Sequence, residues 1–185
     1  RSDDGSGGLT AYLTLDGSVG YTQASVNIRF ADNAKLQVGA SADLELNHDG
    51  TDSTISNKTG DLYITNTLDD KDIILQSDDG SGGVTNYLVL DGSATTINVA
   101  KNMDFADNVN ARFGASNDMN IVHNGTDTFI DNYNGHLNIR NNADDKDIVL
   151  ISDDGSGGVT PYLTLDGSST LIDIAKNMRF ADSIK

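Results

Sequence analysis

Apolar and polar residues alternate along this chain with a period of two, not with the period of about 3.6 that marks a helix. In the run Leu-Glu-Leu-Asn-His, Leu44, Leu46 and His48 share one face, and the polar residues between them share the other. Short alternating runs bounded by Gly, Asn and Asp are typical of strands joined by turns. The pattern predicts strands near residues 12–15, 26–30, 35–39, 43–48, 53–57, 61–66, 72–77 and 95–99.

One phrase, Asp-Asp-Gly-Ser-Gly-Gly-x-Thr-x-Tyr-Leu-x-Leu-Asp-Gly-Ser, occurs three times at intervals of 75 residues. It spans residues 3–18, 78–93 and 153–168. A fixed long period is the signature of a repeat architecture. Because no residue is inserted or lost between copies, the sequence predicts repeat unit 1–75, repeat unit 76–150 and a partial unit 151–185, and it is expected to belong to a longer array.

Two all-β architectures are compatible with these closely spaced strands. One is a single-chain β-solenoid, and the other is an elongated fibre in which three chains wind together around one narrow core. A solenoid coil repeats every 20 to 30 residues or so, and nothing in the sequence repeats at that scale. We therefore predict an intertwined, β-helix-like homotrimeric shaft, with the single-chain β-solenoid as the alternative.

The composition supports a thin core and excludes several classes of partner. Only 37% of residues are hydrophobic, and the chain has 19 Gly and no Trp, which is lean for a thick globular core. The net charge of −16 argues against nucleic acids and anionic membrane surfaces, since both require clustered Lys and Arg. No apolar run is long enough to predict membrane insertion, and the absence of Cys excludes disulfides.

The strand-turn-strand of residues 43–64 carries a resemblance to a known family. Its pattern is Asp-Leu-x-Leu-x-His-Asp-Gly-Thr-Asp-Ser-x-Ile-x-Asn-x-x-Gly-Asp-Leu-x-Ile, and residues 118–139 repeat it with a few substitutions, among them His136 in place of Asp61. The pattern resembles repeats of tail-fibre and related structural proteins of marine bacteriophages. It covers about twenty residues of each 75-residue unit and is moderately specific as a repeat signature.

The resemblance implies a structural role in a virion or outside the cell. A chain of this family is expected to form a homotrimeric shaft that acts as a stiff spacer for a receptor-binding tip. Contact with a host cell-surface receptor would then be made only by distal parts that this segment lacks. The alternative from another class is a repeat of a calcium-dependent extracellular bacterial adhesin.

His48 and His123 are candidate ligands for a metal or an anion. Each follows two apolar residues at a spacing of two, so each is predicted to lie on the interior face. In a trimer, three copies of one imidazole would meet near the axis and could hold an ion. The alternative is a buried neutral His that bonds the backbone of the neighbouring Gly50 or Gly125 turn.

The Asp-rich turns are candidate calcium sites because they supply hard oxygen ligands. They lie at residues 3–5, 49–52 and 69–70. Their spacing matches neither the EF-hand loop nor the calcium-binding nonapeptide. The alternative is that Asp and Gly form turns and keep the sheet edges soluble.

The Gly-Ser-Gly-Gly loop at residues 5–8 has no Lys and no following helix, so it is not a phosphate-binding loop. We interpret it as a turned loop between strands and as the hinge between repeat units.

Lys101 and Lys176 interrupt apolar faces. Either the strand bends at the preceding Ala and the Lys reaches water, or the Lys forms a salt bridge with a neighbouring chain.

No catalytic activity is predicted. Ser, His and Asp are abundant, but a triad is defined by geometry and not by abundance. Residues copied every 75 positions are expected to have a repeated structural role, whereas an active site is normally single. A sugar-cleaving fibre domain with paired carboxylates is the least unfavourable enzymatic alternative.

Overall fold

The protein is all-β, and a computed structural model describes its residues 1–180. These residues contain strands and turns and no helix. The chain divides into two compact units, Arg1–Lys101 and Asn102–Lys185. In the first unit the strands are β1 (Ser2–Asp3), β2 (Leu9–Thr10), β3 (Leu13–Asp16), β4 (Tyr21–Ala24), β5 (Lys35–Val38), β6 (Leu44–His48), β7 (Ser53–Asn57), β8 (Ile73–Asp78), β9 (Val84–Asp91) and β10 (Thr96–Val99). In the second they are β11 (Ala111–Phe113), β12 (Met119–His123), β13 (Thr128–Asn132), β14 (Ile148–Asp153), β15 (Val159–Asp166) and β16 (Leu171–Ile174).

Every sheet in the described residues is a small antiparallel meander. The first unit holds the two-stranded sheets β1-β2 and β3-β4 and the three-stranded sheets β5-β6-β7 and β8-β9-β10. The second unit holds β11-β12-β13 and β14-β15-β16. Within each unit, strands contact only strands of their own sheet. The alternative of a single-chain β-solenoid is therefore not observed in residues 1–180, because a solenoid stacks parallel strands of successive coils and every pairing here is antiparallel.

The strand pairing recurs with the sequence period. Leu46 opposite Ile55 in the β6-β7 pair corresponds to Ile121 opposite Ile130 in the β12-β13 pair. The register of β8-β9-β10 recurs in the same way in β14-β15-β16, including a bulge. The bulge falls between Leu75 and Gln76 in the first case and between Leu150 and Ile151 in the second. The boundary between the first and second sequence repeats, between residues 75 and 76, falls within β8.

The repeated Gly-Ser-Gly-Gly phrase forms a hairpin turn, so its interpretation as a hinge between units was wrong. Residues 79–83 join β8 to β9, and Asp79 N–H donates to the carbonyl of Gly83 at 3.1 Å. The Asp79 carboxylate then accepts the N–H of Ser81 at 2.7 Å and that of Gly83 at 3.1 Å. The acidic residue before the glycines holds the loop in a fixed turn within one sheet.

Two predicted strands, residues 26–30 and 61–66, are not strands in this chain. Both alternate correctly, but neither has a neighbour among residues 1–180 to complete a hydrogen-bond ladder. Leu62 and Ile64 are accordingly 48% and 66% exposed. The remaining predicted strands are present to within one or two residues at each end, and β4 forms where the sequence showed only a degenerate alternating stretch.

One turn is strained in two of its three copies. Thr95 and Thr170 adopt positive φ angles of 53° and 56°, whereas the matching residue in the first copy is Gly20 at 73°. A β-branched residue in the left-handed region costs about 1–2 kcal/mol relative to a right-handed conformation. Thr95→Gly is therefore expected to raise the free energy of unfolding by roughly 0.5–1 kcal/mol once the extra chain entropy of Gly is counted.

The reciprocal variant, Gly20→Thr, is the control and is expected to destabilise by about 1 kcal/mol. Denaturant unfolding followed by circular dichroism measures both changes. If Thr95→Gly and Gly20→Thr shifted the stability in the same direction, backbone strain would not be the cause.

Candidate assembly interface

The sheet β8-β9-β10 carries six aliphatic side chains side by side on one face. Cross-strand register places Ile73, Leu90 and Ile97 in one row, and Leu75, Leu88 and Val99 in the next. Side chains in neighbouring strands at these positions lie side by side on one face. Despite this arrangement, four of the six are 42% to 68% exposed: Leu75, Leu90, Ile97 and Val99. No other sheet of the unit packs against this face.

The sheet β5-β6-β7 carries a second apolar face, which forms an open groove of about 500 Å³. Its floor comprises Leu36, Leu46 and Ile55, which are cross-strand neighbours. Phe30, from the segment before β5, forms one wall, and His48 lies at one end. The equivalent groove of the second unit has a volume of about 270 Å³ and is lined by Phe105, Ala106, Val109, Ala111, Ile121, Val122, His123 and Thr128.

No hydrophobic side chain is buried anywhere in residues 1–180. The accessible surface is 15462 Å². A folded monomer of 19.6 kDa is expected to expose only about 8,600 Å². The excess of roughly 6,900 Å² is several times the 800 Å² or so that one partner contributes to a standard protein interface. The chain thus leaves far more surface uncovered than a stable complex requires.

The opposite face of β5-β6-β7 is polar and centres on Glu45, which is only 5% exposed. Its carboxylate lies 2.9 Å from the ammonium groups of Lys35 and Lys58, and it accepts a hydrogen bond from the Gln37 amide at 2.6 Å. Lys58, then Lys35 and Gln37, hold the pKa of Glu45 well below its ordinary value of 4.5, at about 2. This charged cluster makes one face of the sheet polar, whereas the face that forms the groove is apolar. The cluster was not predicted from the sequence, although alternation placed Glu45 on the face of the strand that Leu44 and Leu46 do not occupy.

The lowered pKa of Glu45 predicts an acid-dependent contribution to stability. Because the folded-state pKa is depressed, the contribution is present above pH 4.5 and is lost as the pH falls from 4.5 towards 2. Glu45→Gln is expected to lower the melting temperature at pH 7 and to have progressively less effect through that window. In the second unit the matching residue is Asn120, so Asn120→Gln should show no such pH dependence. A Glu45→Gln effect that stayed constant down to pH 2 would contradict the assignment.

His48 and His123 lie at equivalent places, each at the end of an apolar groove. Both side chains are exposed in the chain. The Nδ1 atom of His48 is 3.2 Å from Ser53 Oγ, and that of His123 is 3.2 Å from Thr128 Oγ1. Their partners are therefore the side chains across the hairpin, not the backbone of the Gly turns. Metal or anion binding by three copies stays a prediction, and residues 1–180 hold no cluster of three metal-ligating side chains within one chain.

The Asp-rich turns at residues 3–5 and 49–52 use their carboxylates to bind their own backbone. Asp49 Oδ1 accepts the N–H groups of Asp52 at 2.8 Å and Thr51 at 2.9 Å. These bonds, that of Asp52 first, lower the pKa of Asp49. At the first turn the Ser6 hydroxyl and N–H lower the pKa of Asp4 in the same way. The arrangement is that of Asx turns, which the sequence offered as the alternative to calcium sites.

Lys101 and Lys176 each lie over a tyrosine ring of their own unit. The Lys101 ammonium is 6.0 Å from the centre of the Tyr87 ring, and Lys176 is 5.9 Å from that of Tyr162. Cations at this distance are attracted by the negative face of the ring. Neither interpretation made from the sequence included this contact. It arises because the bulge in β9 and the antiparallel return of β10 bring the two side chains together.

Comparison with known proteins gives no further guide to the role of these faces. No family model, no curated protein and no solved structure matches the chain. Among residues 1–180 no helix could span a membrane.

Proposed function

We propose that this chain is a structural segment of a fibre shaft, assembled from three copies wound around a shared core. The observation that supports this proposal best is the absence of any buried hydrophobic side chain in the described residues, alongside aliphatic faces on successive sheets. Such faces are stable in water only when covered. A second copy of the same chain offers the same faces at the same 75-residue spacing.

A shaft of this kind has a mechanical role and no catalytic one. Hydrogen-bonded meanders whose own strands are joined by fixed Asx turns resist bending, and a shared aliphatic core holds the copies in register. The net charge of −16 per chain keeps assembled shafts apart and limits lateral aggregation. The resemblance to bacteriophage tail-fibre repeats adds the threefold arrangement, the virion or extracellular location and the role as a spacer for a receptor-binding tip.

The mass of the chain in solution tests the proposal. Light scattering after size exclusion is expected to give about three times the chain mass of 19.6 kDa. A mass of one chain, together with a cooperative unfolding transition, would overturn the proposal. A mass of two chains would overturn the threefold shaft.

The calcium-dependent adhesin alternative makes a different prediction. A repeat that requires calcium should have a much lower melting temperature when a chelator is added. We expect no change with chelator, because the turn carboxylates described above already accept hydrogen bonds from their own backbone. A large loss of stability on chelation would favour the adhesin.

A further inference from the structure

We propose that residues 61–65 of one copy form an inter-chain strand against residues 26–30 of a second copy, with Leu62 and Ile64 filling the second copy's apolar groove. The inference rests on the proposed function, because it requires that the chain assembles with itself. It identifies which segments meet between the copies and assigns one occupant to the groove.

The backbones of the two segments have unmet hydrogen-bonding capacity. Residues 61–65 and residues 26–30 make no backbone hydrogen bond to any other described residue of the chain. Both segments nevertheless alternate with the period of a strand. Exposed, unpaired strand backbone is a template for pairing with another chain. Each segment is therefore a suitable partner for the other.

The groove lies directly beside one of the two segments. Residues 26–30 end at Phe30, which forms a wall of the groove, and none of the groove-lining residues comes from residues 61–65 of the same chain. A strand paired with residues 26–30 would lie beside that wall. Its inward side chains would then reach the floor formed by Leu36, Leu46 and Ile55. The groove, about 500 Å³ in volume, has room for two aliphatic side chains.

In the second unit, the repeat changes one face of the segment and keeps the other. Leu62 and Ile64 recur as Leu137 and Ile139, whereas Tyr63 between them becomes Asn138. Residues 136–140 likewise lack backbone hydrogen bonds to any residue among 1–180. The groove also recurs, with Phe105 in place of Phe30. A face that stays aliphatic while its reverse turns polar is expected of a strand that docks through one side.

The surplus surface of roughly 6,900 Å² exceeds what several standard interfaces would bury per chain. The exposed fractions of 48% for Leu62 and 66% for Ile64 show that this segment contributes to the surplus. An assembly that covered the sheet faces but left these side chains in water would leave part of the surplus exposed.

Cysteine pairing tests the contact directly, because the native chain has no Cys and every disulfide must come from the introduced residues. Chains carrying Ile28→Cys and chains carrying Ile64→Cys are refolded together and oxidised. The expected product is a disulfide-linked pair of one chain of each kind. The matched control replaces Ile64→Cys by Tyr63→Cys, whose side chain points to the opposite face and should pair at least tenfold less.

Charge substitution in both units provides a second measurement. The double variant Leu62→Glu/Leu137→Glu is expected to lower the equilibrium constant for assembly at least a hundredfold. The control double variant Tyr63→Glu/Asn138→Glu should lower the same constant less than threefold. A trimer in which the Ile28 and Ile64 cysteines pair no better than the control would overturn the inference and leave the proposed function standing. A chain that is monomeric at all concentrations would overturn both.

Discussion

Leu163→Glu is expected to convert the assembled chain into monomers. Leu163 lies in the middle strand of β14-β15-β16, between Leu150 and Ile174 on the aliphatic face. Each copy would lose about 2–3 kcal/mol of apolar burial and would add the cost of desolvating a carboxylate. Because every copy carries the change, the loss multiplies with the number of chains. Light scattering should report the mass of one chain, and the melting transition should fall or disappear.

Thr164→Glu is the matched control for this prediction. Thr164 is the next residue of β15, and it points to the opposite face beside Val149 and Asp173. Thr164 is half-buried and lies opposite Asp173, so the added carboxylate should cost up to about 1 kcal/mol through like-charge repulsion, while the mass should stay at that of the assembly. If both variants assembled like the parent, the aliphatic face would not be the interface, and the shaft proposal would lose its main support.

Most strands whose partners belong to the same chain could be predicted from the sequence. Residues 44–48 alternate, and a turn and a second alternating run follow directly, so β6 and β7 were predicted correctly. Residues 61–66 alternate equally well, but the next alternating run, residues 72–77, pairs with β9 and not with them. Alternation reports which residues would share a face, whereas a strand also requires a neighbour. The described residues of one chain do not contain that neighbour.

The candidate interface was only partly predictable, for a similar reason. Period-two spacing placed His48 on the apolar face with Leu46, and the groove confirms that placement. The ion cluster around Glu45 was missed because it brings together residues from β5, β6 and the turn after β7. Such a set depends on strand order and register, which alternation alone does not determine.

The repeated loop shows how local chemistry can be underestimated. Gly-rich composition suggested a hinge, because Gly permits many backbone conformations. The preceding Asp79 removes that freedom by accepting backbone N–H groups on the far side of the turn, and the Ser81 hydroxyl adds a further bond at 2.7 Å. An Asp followed by Ser two residues later was the available signal for an Asx turn.

Gly92→Ala is expected to destabilise the first unit by about 1–3 kcal/mol, because it forces backbone atoms apart. A methyl group on Gly92 would lie 2.5 Å from the carbonyl oxygen of Lys71 and 3.3 Å from its carbonyl carbon. The Gly92 N–H also donates to the Asp72 carboxylate at 3.0 Å, so the turn cannot move away without weakening this bond. Gly167 has the same relation to Lys146, and Gly167→Ala should have a similar effect in the second unit.

Gly17 is the internal control, because it occupies the same place in the Leu-Asp-Gly-Ser phrase with no atom within 4 Å of an added methyl group. It follows β3, which pairs only with β4 in the described residues. Gly17→Ala should therefore change the free energy of unfolding by no more than about 0.5 kcal/mol. Denaturant titration of the three variants measures the difference. Equal losses for Gly17→Ala and Gly92→Ala would mean that the phrase needs its glycine for the turn itself, and that the close approach of Lys71 is not the cause.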